Sequence, residues 1–183
     1  MKVTRKQMIE ILSGDEERAD IFLHHINAWA DKFYINTPLR MAHFLGQVLH
    51  ETGGLKYLRE LGGEKYFKKY EQGKLGLTLG NTHVGDGSKY KGRGLIMITG
   101  RANYQAYQNS TFCNGDIMNE PELIEKPCGA VKVGMWWWWK HSCNKLADKD
   151  DILALTKRIN GGTNGLENRK KWTNKCKKVL GVC

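Results

Sequence analysis

A mainly α-helical fold is what this sequence predicts, on three observations. Apolar residues recur at three- and four-residue spacing through much of the first 54 positions. Glycine, proline and acidic residues punctuate that pattern where helices stop and start. A later stretch, Pro127 to Lys145, is apolar nearly all round, as a buried helix is.

Residues 1–34 read as helical. Met8, Ile9, Ile11 and Leu12 form one apolar cluster, and Ala19, Ile21, Phe22, His25, Ile26 and Trp29 form the next. Between them, Ser13-Gly14-Asp15-Glu16-Glu17 reads as a helix stop followed by a new N-terminus with acids in its first turn. Pro38 opens the following helix, Met41, Ala42, Leu45, Val48 and Leu49 make its buried stripe, and Gly53-Gly54 ends it. Glu51 therefore falls in its last turn.

Residues 55–100 are rich in Gly, Lys and Tyr, with turn chemistry at Leu79-Gly80-Asn81-Thr82 and Gly85-Asp86-Gly87. They predict a long loop region with a small hairpin, lying over the site. In the apolar helix, Trp136 to Trp139 sweep most of a turn, so they cannot all face one side: core packing and the lining of a groove are both open to them. A short helix over 150–159 leads to Asn160-Gly161-Gly162, and a last one runs from Glu167 to Leu180. With no repeat and no low-complexity linker, residues 1–183 are expected to form a single domain.

The composition is globular, with 40% hydrophobic and 26% charged residues. The longest apolar run, near Val131 to Trp139, is interrupted by Lys132 and too short for a membrane span, so no membrane insertion is expected. A net charge of +10 attracts polyanions. Its densest cluster, Lys170, Lys171, Lys175, Lys177 and Lys178, reads as a solvated helix face; no zinc-finger, leucine-zipper or RNA-recognition signature accompanies it, so no nucleic acid is expected. Cys113, Cys128, Cys143, Cys176 and Cys183 form no Cys-x-x-Cys pair and lie at no zinc-finger spacing from a histidine, so neither a metal nor a cofactor is expected. One or two disulfides and buried reduced thiols are both compatible with their clustering.

Candidate chemistry centres on His50-Glu51-Thr52-Gly53-Gly54 and on Glu60, nine positions after Glu51. Two carboxylates, one beside a Gly-Gly turn, suit hydrolysis of a glycosidic bond, which needs an acid for the leaving oxygen and a base for a water. Glu64 and Glu71 compete with Glu60 for the second role. Gly92-Arg93-Gly94-Leu95-Ile96-Met97-Ile98-Thr99 and Ile159-Asn160-Gly161-Gly162 also read as site-building segments. The former lacks the third glycine, the preceding strand and the Lys-Ser/Thr ending of nucleotide-binding loops. A metalloprotease is excluded because position 54 holds glycine, not the second histidine of His-Glu-x-x-His.

Together, Met41 through Gly54, Tyr90 through Tyr104 and Arg158 through Leu166 resemble glycoside hydrolase family 19, which contains chitinases and phage endolysins. The likeness covers about residues 40–175, and Arg-Gly-Leu-Ile with Thr-Gly-Arg-Ala-Asn-Tyr is closer to the endolysin branch. It implies a lysozyme-like α-helical fold and hydrolysis with inversion. By position it implies Glu51 as general acid, Glu60 as general base and Thr99 as the hydroxyl that helps hold the attacking water. It further implies Asn103 and Asn160 as substrate contacts, Arg169 as support for the acid, and His50 and Tyr90 as neighbours of the substrate. Met97 departs from the pattern, since family members commonly carry Gln there.

The expected function is therefore cleavage of β-1,4 bonds between N-acetylmuramic acid and N-acetylglucosamine in peptidoglycan. The alternatives are cleavage of a chitin-like polymer and, in another class, a non-catalytic basic wall-binding protein. The N-terminus lacks the apolar core and cleavage site of an export signal. The expectation is a monomer made in the cytoplasm that reaches the cell wall by a non-Sec route.

Overall fold

Thr4, Asp15, Thr37 and Asp151 each begin a helix for one reason: a side-chain oxygen accepts an otherwise orphaned backbone N–H three residues on. Thr4 and Gln7 complete a reciprocal capping box. In the computed structural model, which describes residues 1–182, the helices are α1 (Arg5–Ile11), α2 (Glu16–Trp29), α3 (Pro38–Glu51), α4 (Glu64–Phe67), α5 (Gly73–Leu79), α6 (Asp86–Lys89), α7 (Arg101–Gln108), α8 (Pro127–Lys140), α9 (Cys143–Ala147), α10 (Ile152–Asn160) and α11 (Leu166–Val179). Short 3-10 turns lie at Asp31–Phe33, Lys68–Glu71 and Pro121–Glu125. The mainly α expectation holds.

The chain gathers into two compact units, Met1–Lys56 with Met135–Cys183, and Tyr57–Gly134. In the first, α3 is the axis. Every residue from Met41 to Leu49 is buried, so the predicted stripe widens to the whole circumference and takes in His43 and Gln47. α11 packs along it at close range. A Cβ on Gly46 would lie 2.0 Å from Thr173 Oγ1 and 2.7 Å from Thr173 Cα, so only glycine permits the approach. Gly46 faces Thr173 while Glu51 meets Arg169; position numbers rise on one helix as they fall on the other, and the pair is antiparallel.

The tryptophan run divides as its geometry demands. Trp136, Trp137 and Trp138 are buried, and Trp138 meets Phe44 edge-on at 5.5 Å while its indole N–H donates to Asn144 Oδ1 at 2.8 Å. Trp139 is exposed.

The second unit contains the excursion expected over 55–100, but it is not open loop. α4, α5 and α6 lie within it, and the small hairpin is reduced to isolated bridges, Arg59 to Arg93 and Arg93 to Ile98. The Lys, Leu and Glu residues between the turn signals are good helix formers, and Gly80 and Gly85 stop or start the short helices in the left-handed conformation. Phe67 is the buried anchor of this stretch.

Cys113, Cys128, Cys143 and Cys176 are free thiols, and Cys183 lies outside the described residues. Burial pushes the Cys143 and Cys176 thiols up to about 12, so both behave as small apolar groups. Among the described residues, no helix is long and apolar enough to cross a membrane, and no group of His, Cys, Asp and Glu is arranged to hold a metal ion.

Candidate active site

Glu51 ends α3, where the helix dipole presents its negative end, and a cation from α11 meets it there. Arg169 is 2% exposed and divides its fork between two residues of α3. Nη2 donates to Glu51 Oε1 at 2.5 Å and Nη1 to Gln47 Oε1 at 2.7 Å, while Nε reaches the Asn164 carbonyl at 3.3 Å. Gln47 and Glu51 are four apart, so one guanidinium spans both. The Glu51 side chain is 19% exposed, and among the described residues its Oε2 accepts no hydrogen bond. One oxygen is thus clamped and the other is not.

His50 is positioned rather than free. Its Nδ1 pairs with Asn168 Oδ1 at 2.8 Å, and a Cβ on Gly165 would strike the imidazole at 2.2 Å. Gly165 also carries a φ of +73°, so position 165 requires glycine on two counts. Asn160, the last residue of α10, is exposed just before the left-handed cap Gly161.

In the second unit, Glu60 is held by three donors. Tyr70 Oη donates to Oε1 at 2.7 Å, Tyr66 Oη to the same oxygen at 3.1 Å, and Gly92 N–H to Oε2 at 3.3 Å. Burial first, and the Glu60 carboxylate next, push the Tyr70 phenol well above its ordinary value, so it stays a donor. Lys69 lies 3.4 Å over the Tyr66 ring and 4.7 Å over that of Tyr70, which steadies both phenols.

The reduced hairpin delivers Glu60 and Thr99 to one patch. Glu60 N–H donates to the Gly92 carbonyl at 2.7 Å, Gly94 N–H to Leu58 at 2.9 Å, and Arg93 exchanges backbone bonds with Ile98 at 3.2 and 2.9 Å. A Cβ on Gly92 would meet Glu60 Cβ, Glu60 Oε2 and Met97 Cβ, each at 3.3 Å, so glycine lets the carboxylate lie flat against the backbone. Met97 holds a left-handed φ of +52°, and its carbonyl accepts from Thr99 Oγ1 at 2.9 Å. That donation leaves the Thr99 oxygen as an acceptor for a water. Asn103 Nδ2 in turn donates to the Thr99 carbonyl at 2.8 Å.

Underneath, buried Arg93 ties the patch down through Glu125 at 2.5 Å, the Lys89 carbonyl at 2.7 Å and Tyr104 Oη at 3.0 Å.

One expected substrate neighbour is corrected by burial. Tyr90 is 1% exposed, packs on Tyr104 at 5.1 Å and spends its hydroxyl on the Met118 carbonyl at 3.2 Å. It braces the loop and presents nothing to a ligand. Arg169, read as support for the acid, is equally enclosed, and its guanidinium meets Glu51 and Gln47. Of the competitors for the base, Glu71 is committed to the Gly87 N–H at 2.8 Å, and Glu64 is exposed in the first turn of α4. Sequence reasoning missed Gln47, Tyr66 and Tyr70. The i, i+4 spacing of Gln47 to Glu51 and of Tyr66 to Tyr70 was the available signal.

The chitinase class I family model matches residues 31–159. A glycosyl hydrolase family 19 domain-containing protein of Haemophilus influenzae is 36% identical over 172 residues, covering 80% of this chain and 82% of its own length. The chain belongs to glycosyl hydrolase family 19. It is thus a glycoside hydrolase. The acidic 26 kDa endochitinase of Solanum lycopersicum is 28% identical over 115 residues; that match covers 62% of this chain and 40% of the tomato enzyme. In fold, this family 19 chain is similar to chitinase C of Streptomyces griseus, with a TM-score of 0.72 at 21% identity, covering 98% of this chain and 93% of that one. A bacterial family 19 chitinase gives 0.70 at 21% identity, covering 99% and 96%.

Proposed function

We propose that this family 19 chain hydrolyses the β-1,4 bond between N-acetylmuramic acid and N-acetylglucosamine in peptidoglycan, with inversion at the anomeric carbon. Glu51 protonates the leaving oxygen and Glu60 takes a proton from the attacking water. The reading rests on the unlike surroundings of the two acids. Glu51 is gripped through one oxygen by Arg169, with the other oxygen left to protonate a leaving group. Glu60 accepts from two phenols and a backbone N–H, an arrangement that aims its lone pairs and suits a base. Thr99, tied to the Glu60 patch through Gly92 and Met97, holds the water as an acceptor.

The preference for peptidoglycan rests on the endolysin-like Gly92 to Tyr104 segment and on the +10 charge, which favours an anionic wall. Chitin is the second reading, favoured by the relatives whose names state that they are endochitinases. Digestion of purified peptidoglycan and colloidal chitin side by side, with mass spectrometry of the products, separates the two. Proton NMR of fresh product tests inversion: α-anomeric reducing ends come first, and initial β-anomer overturns the mechanism.

A further inference from the structure

We propose that the first unit carries a second carbohydrate site, remote from Glu51, where a β-linked N-acetylated aminosugar chain stacks on Tyr34 and Trp139. The inference rests on the substrate class proposed above. Three of the four consecutive tryptophans are buried, whereas Trp139 is 43% exposed and Tyr34 is 57% exposed. Both rings border one surface pocket of about 280 Å³, together with Arg40, Ser142 and Lys145. Trp139 backs onto buried Phe33, with ring centroids 6.5 Å apart, so its exposed face is fixed to the core.

Tyr34 and Ser142 hold left-handed φ values of +57° and +56° at the ends of helical segments, the usual place for that conformation. Arg40 fixes the first. Its Nη1 donates to the Tyr34 carbonyl at 2.8 Å, while Nε and Nη2 each meet an Asp148 carboxylate oxygen at 2.7 Å. An exposed tyrosine is thereby presented at a set angle.

The chemistry fits a sugar better than an apolar partner. A pyranose has an apolar face for an aromatic ring and a rim of hydroxyl and amide groups, and here the rings are bordered by a hydroxyl, a guanidinium and the exposed Lys145 ammonium. Separation from the catalytic acid follows from α3 itself. Arg40 and Glu51 lie eleven residues apart on one continuous helix, about 16 Å of rise. A chain bound at the pocket leaves Glu51 untouched and holds the enzyme on an insoluble polymer.

The test compares Tyr34→Ala and Trp139→Ala with the parent. Adsorption is measured on insoluble chitin and on purified peptidoglycan, and hydrolysis on a soluble N-acetylglucosamine hexamer. Adsorption should fall about tenfold, the size of loss that truncating an aromatic anchor brings, with kcat/KM on the hexamer unchanged. The polymer on which adsorption falls identifies the source of the sugar chain. Unchanged adsorption of the folded variants on both polymers overturns the proposal, as does a parent that adsorbs to neither. If Trp139→Ala does not fold, Tyr34→Ala, which removes a mostly exposed ring, decides alone. As a second readout, the hexamer should shift the Trp139 indole and Lys145 NMR signals of the Glu51→Gln protein, and silence there also overturns the site. A parent that hydrolyses neither polymer yet adsorbs through Tyr34 strikes only the catalytic reading.

Discussion

Arg169 Nη2 lies 2.5 Å from Glu51 Oε1, and both groups belong to a single antiparallel helix pair. Arg169→Lys keeps the charge but not the fork, so Gln47 and Glu51 cannot both be served. Turnover should fall about 100-fold, the scale expected when a catalytic group is misplaced by about 1 Å, with KM little changed. Steady-state kinetics alongside circular dichroism checks this. A near-normal kcat would show that Glu51 needs no such clamp.

Glu51→Gln and Glu60→Gln should each lower turnover on the order of 10²–10⁴-fold with the fold retained, since each removes a proton transfer. Glu64→Gln and Glu71→Gln should be mild: Glu64 is exposed, and the amide carbonyl that replaces the Glu71 carboxylate still accepts the Gly87 N–H. If either of the latter proves the sensitive position, the base has been misassigned.

Tyr70→Phe and Thr99→Ala should lower turnover by less than either carboxylate change. Each removes one hydrogen bond and no proton transfer, a net contribution of about 0.5–1.5 kcal/mol. Because the Tyr70 phenol is held above its ordinary range, it adds no ionisation of its own to the rate-versus-pH profile, and Tyr70→Phe should not remove an alkaline limb below about pH 10. Loss of such a limb in the variant would count against its assignment as a constant donor.

Gly46→Ala should cost about 1–3 kcal/mol, because the new methyl meets the Thr173 backbone and forces α3 and α11 apart. Activity should fall with stability, since α11 carries Arg169. Thr173→Ala should be tolerated far better, as Thr173 Oγ1 is buried with no hydrogen-bond partner among the described residues. Thermal melts and kinetics of the two variants provide the comparison. Equal effects would remove the close approach as the cause.

His43 gives a pH dependence with a definite sign. It is fully buried, and burial holds its pKa below the ordinary 6.5 despite Asp150 Oδ1 at 2.7 Å from Nε2. The unfolded chain then binds a proton near pH 6.5 that the folded chain refuses. Stability from this group is full above about pH 6.5 and declines as the pH falls below it. His25 and His141 are lowered by burial too, so His43→Gln should flatten only part of the decline. Melting temperatures measured from about pH 8 down to 5 test this, and an unaltered slope would show that His43 does not contribute.

Helix starts and stops were legible in the sequence because they are local. Asp15 caps its own next turn, Pro38 opens one, Ser13-Gly14 and Gly53-Gly54 carry the left-handed φ that ends one, and three- or four-residue spacing needs no distant partner. Glu51 and Thr99 stood out because they sit in recognisable segments of a shared family, and Glu60 because it follows Glu51 by nine positions. Tertiary structure alone decided what those side chains touch. Arg169 lies 118 positions from Glu51, and Gly92 lies 32 from Glu60. Tyr90 and Trp139 look like equivalent aromatics on paper, yet one is enclosed and the other presents its ring. Burial and long-range hydrogen bonds depend on which surfaces meet in space, and position along the chain carries no measure of that distance.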